Sequence, residues 1–162
     1  MQSVKAQEES LVKHLEDLLT KGNAHVTLDD ALNDIPFEIL GEKPADLPYS
    51  IWQLAEHLRI AQFDILDFSR NADYAHLKWP DDYWPKENYP ASENDWQQCV
   101  DQIKADRKAF IDLLNSAANS LYEPIAHGTG QTLLREALVL ADHNSYHTGQ
   151  IILLRKMLNA WK

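Results

Sequence analysis

The 162-residue chain carries 25 acidic against 15 basic side chains, a net charge of −10. That balance excludes nucleic-acid binding through a broad basic face and adhesion to an anionic membrane, both of which need Lys and Arg in excess. No apolar run approaches the ~20 residues of a membrane-spanning helix, the N-terminal segment lacks the apolar core of a signal peptide, and the single Cys99 can form no internal disulfide. A soluble, cytoplasmic protein folded as one domain over residues 1–162 is expected.

Five glycines and seven prolines punctuate the chain, and long stretches between them carry helical periodicity. The first helix is expected over about Gln2–Lys21, with Val4, Leu11, Leu15 and Leu18 on its inner face and Gly22-Asn23 ending it. Thr27-Leu-Asp-Asp30 has the form of a capping box for a short turn, Leu28 to Asp34, stopped by Pro36. Pro44 and Pro48 keep the next stretch extended or turned. Ser50-Ile-Trp-Gln53 opens a helix to Arg70. Ser92-Glu-Asn-Asp95 opens another over Asn94–Ala118, with Trp96, Val100, Ile103, Phe110, Leu113 and Leu114 toward a core. Thr129 or Thr132 opens the last, which runs through Ala160.

No internal repeat and no strand-like alternation interrupts this pattern. The fold class expected is all-α, an antiparallel four-helix bundle with an additional short helix and, by default, up-down-up-down connections. Residues 71–91 resist that default, because they form a longer loop than a compact bundle needs. They carry Tyr74, Trp79, Tyr83, Trp84 and Tyr89, and read either as an aromatic plug or as a substrate-facing lid.

Seven histidines direct attention to metal chemistry. His143 and His147 stand four residues apart in ADHNSYHTGQI, so their side chains point within about 40° of one another and can ligate one ion from the same side. Their stripe also holds Glu136, Leu140, Gln150, Leu154 and Leu158, which turns the pair inward. A pair at this spacing also arises by chance, and Asn144 rules out the HExxH protease pattern. His57 lies at the edge of the apolar arc of its helix, beside Ala61 and Phe68. It reads either as a boundary histidine bonded to a carbonyl or carboxylate, or as a third ligand. Three protein ligands with a position left open is the arrangement of catalytic metal sites.

The segments WQLAEHLRIAQFDIL and ADHNSYHTGQIILLR together resemble the DinB/YfiT-like superfamily, with Gly22–Asp30 and His127–Gln131 also in keeping. The resemblance implies an antiparallel four-helix bundle, commonly a homodimer, with a divalent metal held by three histidines, here His57, His143 and His147. Characterised relatives include thiol-dependent S-transferases, a mycothiol-dependent isomerase and proteins associated with metal-dependent hydrolysis.

Of the remaining histidines, His25 in GNAHVTLDD and His127 in PIAHGTGQT sit in loops. Each reads as a proton shuttle or substrate contact at the open end of the site, or as a loop histidine in water. Glu136 and Gln150 can orient an imidazole from the outer shell, and Glu136 is the best-placed base for a hydrolase. His14 and His76 read as surface residues, Asp142 points about 100° from His143, and Cys99 reads as a buried, inert thiol.

Zn²⁺ or Ni²⁺ suits imidazole best, then Fe²⁺ or Mn²⁺. Three neutral ligands leave the ion's charge uncompensated, which favours an anion such as thiolate or hydroxide in the open position. The first expectation is therefore a metal-dependent enzyme of thiol-dependent S-transferase type, acting on a small molecule with a low-molecular-weight thiol. The alternatives are a metal-dependent hydrolase and a non-catalytic helical binding or dimerisation module.

Overall fold

Local sequence rules set the helix starts in the computed structural model, which describes residues 4–116 and 120–161. Thr27 and Ser50 each close a capping box, with Asp30 and Gln53 as reciprocal partners, ahead of α2 (Leu28–Leu32) and α3 (Ile51–Arg70). Ser92 Oγ accepts from the Asp95 amide as α4 (Glu93–Ser116) begins. Thr132, not Thr129, caps α5 (Leu133–Met157), which stops three residues short of Ala160. The first helix, α1, is Val4–Thr20. Its expected start at Gln2 and the expected end of α4 at Ala118 lie outside the described residues. Two 3₁₀ turns, Phe37–Ile39 and Pro44–Asp46, connect α2 to α3.

The helices contact one another around a ring, α1 to α4 to α3 to α5 and back to α1, with α2 lying on α5. Two apolar clusters fill it. One joins Leu28 and Leu32 of α2 to Leu54 and Leu58 of α3, Val100 and Ile103 of α4, and Ile151 and Leu154 of α5. The other joins Val12, Leu15 and Leu19 of α1 to Leu66 of α3, Phe110 and Leu114 of α4, and Leu133 and Leu140 of α5. On the inner face of α1, Leu15 is buried and Leu11 packs against the second cluster as expected, and the difference lies at Leu18. Leu18 is 53% exposed and the buried positions are Val12, Leu15 and Leu19.

The order of these contacts fixes the helix directions. Both α3 and α4 run from the first cluster to the second, whereas α5 runs from the second to the first. Adjacent α3 and α4 are thus parallel, and the up-down-up-down connection does not hold between them. The reason is residues 71–92, which travel back along α3. The Tyr74 hydroxyl donates to Asp64, the Tyr83 carbonyl meets His57, and the Asn88 carbonyl accepts from Ser50 Oγ. A 20-residue helix is about 30 Å long, and a return over that distance needs a long crossover.

Between the two apolar clusters lies a buried polar layer. Gln62 donates to the Ile103 carbonyl at 2.6 Å and accepts from Asn144 at 3.2 Å, and Thr148 donates to the Asn144 carbonyl at 2.6 Å. His57 and His147 are buried at the same level.

Candidate metal centre

The three histidines expected from spacing and resemblance meet at this level. One ring nitrogen from each of His57, His143 and His147 lies within 4.8 Å of the other two. His57 is presented by α3, and one turn of α5 presents His143 and His147. Nε2 of His143 is 3.0 Å from Nε2 of His57. The imidazoles meet edge to face, with centroids 4.5 to 4.9 Å apart.

The outer nitrogens determine what the inner ones can do. His57 Nδ1 is 2.9 Å from the Tyr83 carbonyl oxygen. A carbonyl only accepts, so Nδ1 carries the proton and Nε2 presents its lone pair. His147 Nδ1 is 2.7 Å from Gln150 Oε1, which fixes the same tautomer. His57 thereby satisfies both sequence readings at once, as a boundary histidine on a backbone carbonyl and as a member of the trio.

Burial keeps these rings neutral. It pushes His147 down to about 4, and burial followed by the neighbouring imidazoles of His147 and His57 pushes His143 down to about 4. His57 is also lowered, by burial. Neutral imidazole is the form that binds a metal.

The donor set fits a divalent ion. Zinc–nitrogen bonds of about 2.0–2.1 Å put ligand nitrogens no more than about 4.2 Å apart, so these three, within 4.8 Å of one another, would draw in slightly around an ion. Two Nε2 lone pairs already face inward. The contact between His143 and His57 is a proton shared by two imidazoles, the place a cation can take. For His143 Nε2 to ligate, its proton must move to Nδ1, which is buried without a well-formed hydrogen bond beside the Asn144 side chain, whose Oδ1 is likewise unpartnered.

A cavity of about 630 Å³ opens from the trio. Trp84 of the crossover stacks on both the His57 imidazole (centroids 3.9 Å apart, 3° between planes) and the Tyr49 ring (4.1 Å, 11°). Phe68, Tyr74, Trp79 and Tyr146 continue the wall, and Gln131, Arg135 and Glu136 also line it. Residues 71–92 are thus both packed against α3 and part of the cavity wall. Asp64 accepts from the hydroxyls of Tyr74 and Tyr83, each at 2.6 Å. Burial and the Asp64 charge push both phenols up, so they remain protonated donors.

A model of the DinB superfamily matches residues 23–151. The chain belongs to the DinB superfamily. The match spans His57, His143 and His147, the crossover and α5 as far as Ile151. No curated protein and no solved structure matches the chain.

The other singled-out residues of this DinB chain fall in different places. Glu136 is buried, lines the cavity and is held by Arg135 at 2.7 Å. His25 lies outside the cavity lining, with Nδ1 on the Val26 carbonyl and Nε2 2.9 Å from Ser145 Oγ. His127 also stands outside it, with Nε2 2.7 Å from the Phe68 carbonyl oxygen. His14 and Asp142 are exposed. His76 is exposed and lines the cavity, edge-on to Tyr74. Burial and neighbouring Glu56 push the Cys99 thiol up, so it stays protonated.

Sequence reasoning missed Asp64 and Tyr146, and it named Tyr83 and Trp84 only as rings of the long loop, not as partners of His57. Asp64 follows His57 by seven residues, on the same helical face, a signal that was legible. The Tyr83 carbonyl had none, because a backbone contact across a crossover leaves no trace in residue type.

Proposed function

We propose that this DinB-superfamily chain is a metal-dependent enzyme of the thiol-dependent S-transferase type, built on a four-helix bundle whose α3 and α4 are parallel. The observation that carries the reading is three neutral imidazoles brought together in the wall of a cavity lined by aromatic rings. A divalent ion there supplies positive charge uncompensated by its ligands, which lowers the pKa of a thiol in the open position.

The chain's own residues do the remaining work. Tyr83 and Gln150 hold His57 and His147 in the ligating tautomer. Trp84, Phe68, Tyr74 and Tyr146 exclude water and suit an electrophile with an apolar body. In the transfer, the thiol sulfur bonds to the electrophilic carbon, the leaving group departs with its electron pair, and the thiol proton passes to solvent. No side chain is required as covalent nucleophile, in keeping with the protonated Cys99.

Metal-dependent hydrolysis is the second reading, with Glu136 as general base, since it is buried and lines the same cavity. His25 and His127 are assigned no role, since neither lines the cavity. The test supplies the metal-loaded protein with a low-molecular-weight thiol and an alkylating or aryl electrophile, in parallel with ester and amide substrates. Thiol-dependent consumption of the electrophile, abolished by chelation, is expected. Hydrolysis with no thiol requirement would overturn the transferase reading in favour of the second.

A further inference from the structure

Asp64 stands two helical turns after His57 on α3, and each of its carboxylate oxygens accepts one phenol, Tyr74 on Oδ1 and Tyr83 on Oδ2, both at 2.6 Å. Short hydrogen bonds to a charged acceptor are among the stronger polar contacts. The two tyrosines bracket residues 75–82, most of which are exposed. That stretch therefore leaves α3 at one phenol and returns at the other. The same Tyr83 places its carbonyl 2.9 Å from His57 Nδ1, and the next residue, Trp84, stacks on the His57 ring at 3.9 Å. The crossover thus supplies both the acceptor that sets the His57 tautomer and the surface that sets its ring plane, while Asp64 holds the phenol of the residue that supplies the acceptor.

We propose that Asp64 is a positioning residue of the metal centre, acting through Tyr83 to hold His57 in its ligating tautomer and orientation. The inference rests on the reading of the three histidines as a metal centre. Outer partners of metal-bound histidines matter at about 10–100-fold in affinity. Asp64 acts one contact further out, so its loss is expected at the lower end of that range.

The test measures Co²⁺ affinity by chelator competition, and the visible spectrum of the Co²⁺-loaded protein, for the wild type, Asp64→Ala, Tyr83→Phe and Tyr74→Phe. Proteolysis of residues 75–82 in the metal-free proteins is followed alongside. Asp64→Ala should raise the Co²⁺ dissociation constant about 10-fold and alter the spectrum. Tyr83→Phe should cost more than Tyr74→Phe, because only Tyr83 carries the carbonyl on His57. Combining Asp64→Ala with Tyr83→Phe should add little. A role confined to tethering the crossover would increase proteolysis while leaving affinity within twofold and the spectrum unchanged, and that result overturns the proposal. If Asp64→Ala does not fold, Tyr83→Phe decides by the same criteria. A wild type that takes up no Co²⁺ would instead bring down the metal-centre reading itself.

Discussion

His57 Nδ1 stands 2.9 Å from the carbonyl oxygen of Tyr83, a residue 26 positions further along the chain. The contact exists because the chain doubles back along α3 before starting α4. A short turn between α3 and α4 would make them antiparallel and leave His57 Nδ1 without this acceptor. The parallel pairing and the ligating tautomer of His57 are consequences of one crossover.

The depressed histidines give the metal-free protein a defined pH dependence. His143 and His147 titrate near pH 4 when folded and near 6.5 when unfolded. Between those values the unfolded chain binds more protons, so stability rises with pH through this window and falls as pH drops from 6.5 toward 4. Melting temperatures of chelator-treated protein should fall across that range. The fall should be shallower in His143→Ala/His147→Ala, and identical slopes in both proteins would contradict the account.

On α1, burial separates two neighbouring leucines. Leu19→Ala removes a side chain 8% exposed and should cost about 2–5 kcal/mol. Leu18→Ala, at 53% exposure, should stay within about 0.5 kcal/mol. Urea unfolding of the two variants measures the difference.

That pair also marks what the sequence could carry. The start of α3 was legible at Ser50 because the capping box is local, and His143 with His147 because an i,i+4 spacing survives in any context. The inner face of α1 was ambiguous, since leucines at both 18 and 19 extend a plausible stripe and only packing against α4 and α5 chooses between them. The direction of α4 was not legible. It depends on where Tyr74, Tyr83 and Asn88 attach to α3, contacts between residues distant in sequence.

Gln150 should matter through His147 alone. Gln150→Leu removes the acceptor 2.7 Å from Nδ1 and should weaken metal binding by about 10-fold or more. Gln150→Glu, which still offers an oxygen, should restore most of it. Chelator competition reads both variants, and equal affinities for Leu and Glu would remove Gln150 from the centre.

Arg155 is a structural counterpart that does not line the cavity. Its guanidinium donates to the carbonyls of Ala31 and Asn33 at 2.8 Å and of Ala160 at 2.9 Å, joining the end of α2 to the end of α5. Arg155→Met leaves those acceptors unsatisfied and should cost about 3 kcal/mol. Metal stoichiometry should be unchanged in the folded variant, as checked by denaturant titration beside metal analysis.

The most direct measurement is the metal content of protein purified without chelator, compared with His143→Ala/His147→Ala prepared in the same way. Convergent neutral imidazoles predict close to one divalent ion per chain in the first and none in the second, with the helical circular dichroism of both alike. Full loading of the double variant, or a wild type that holds no ion even when one is supplied, would contradict it.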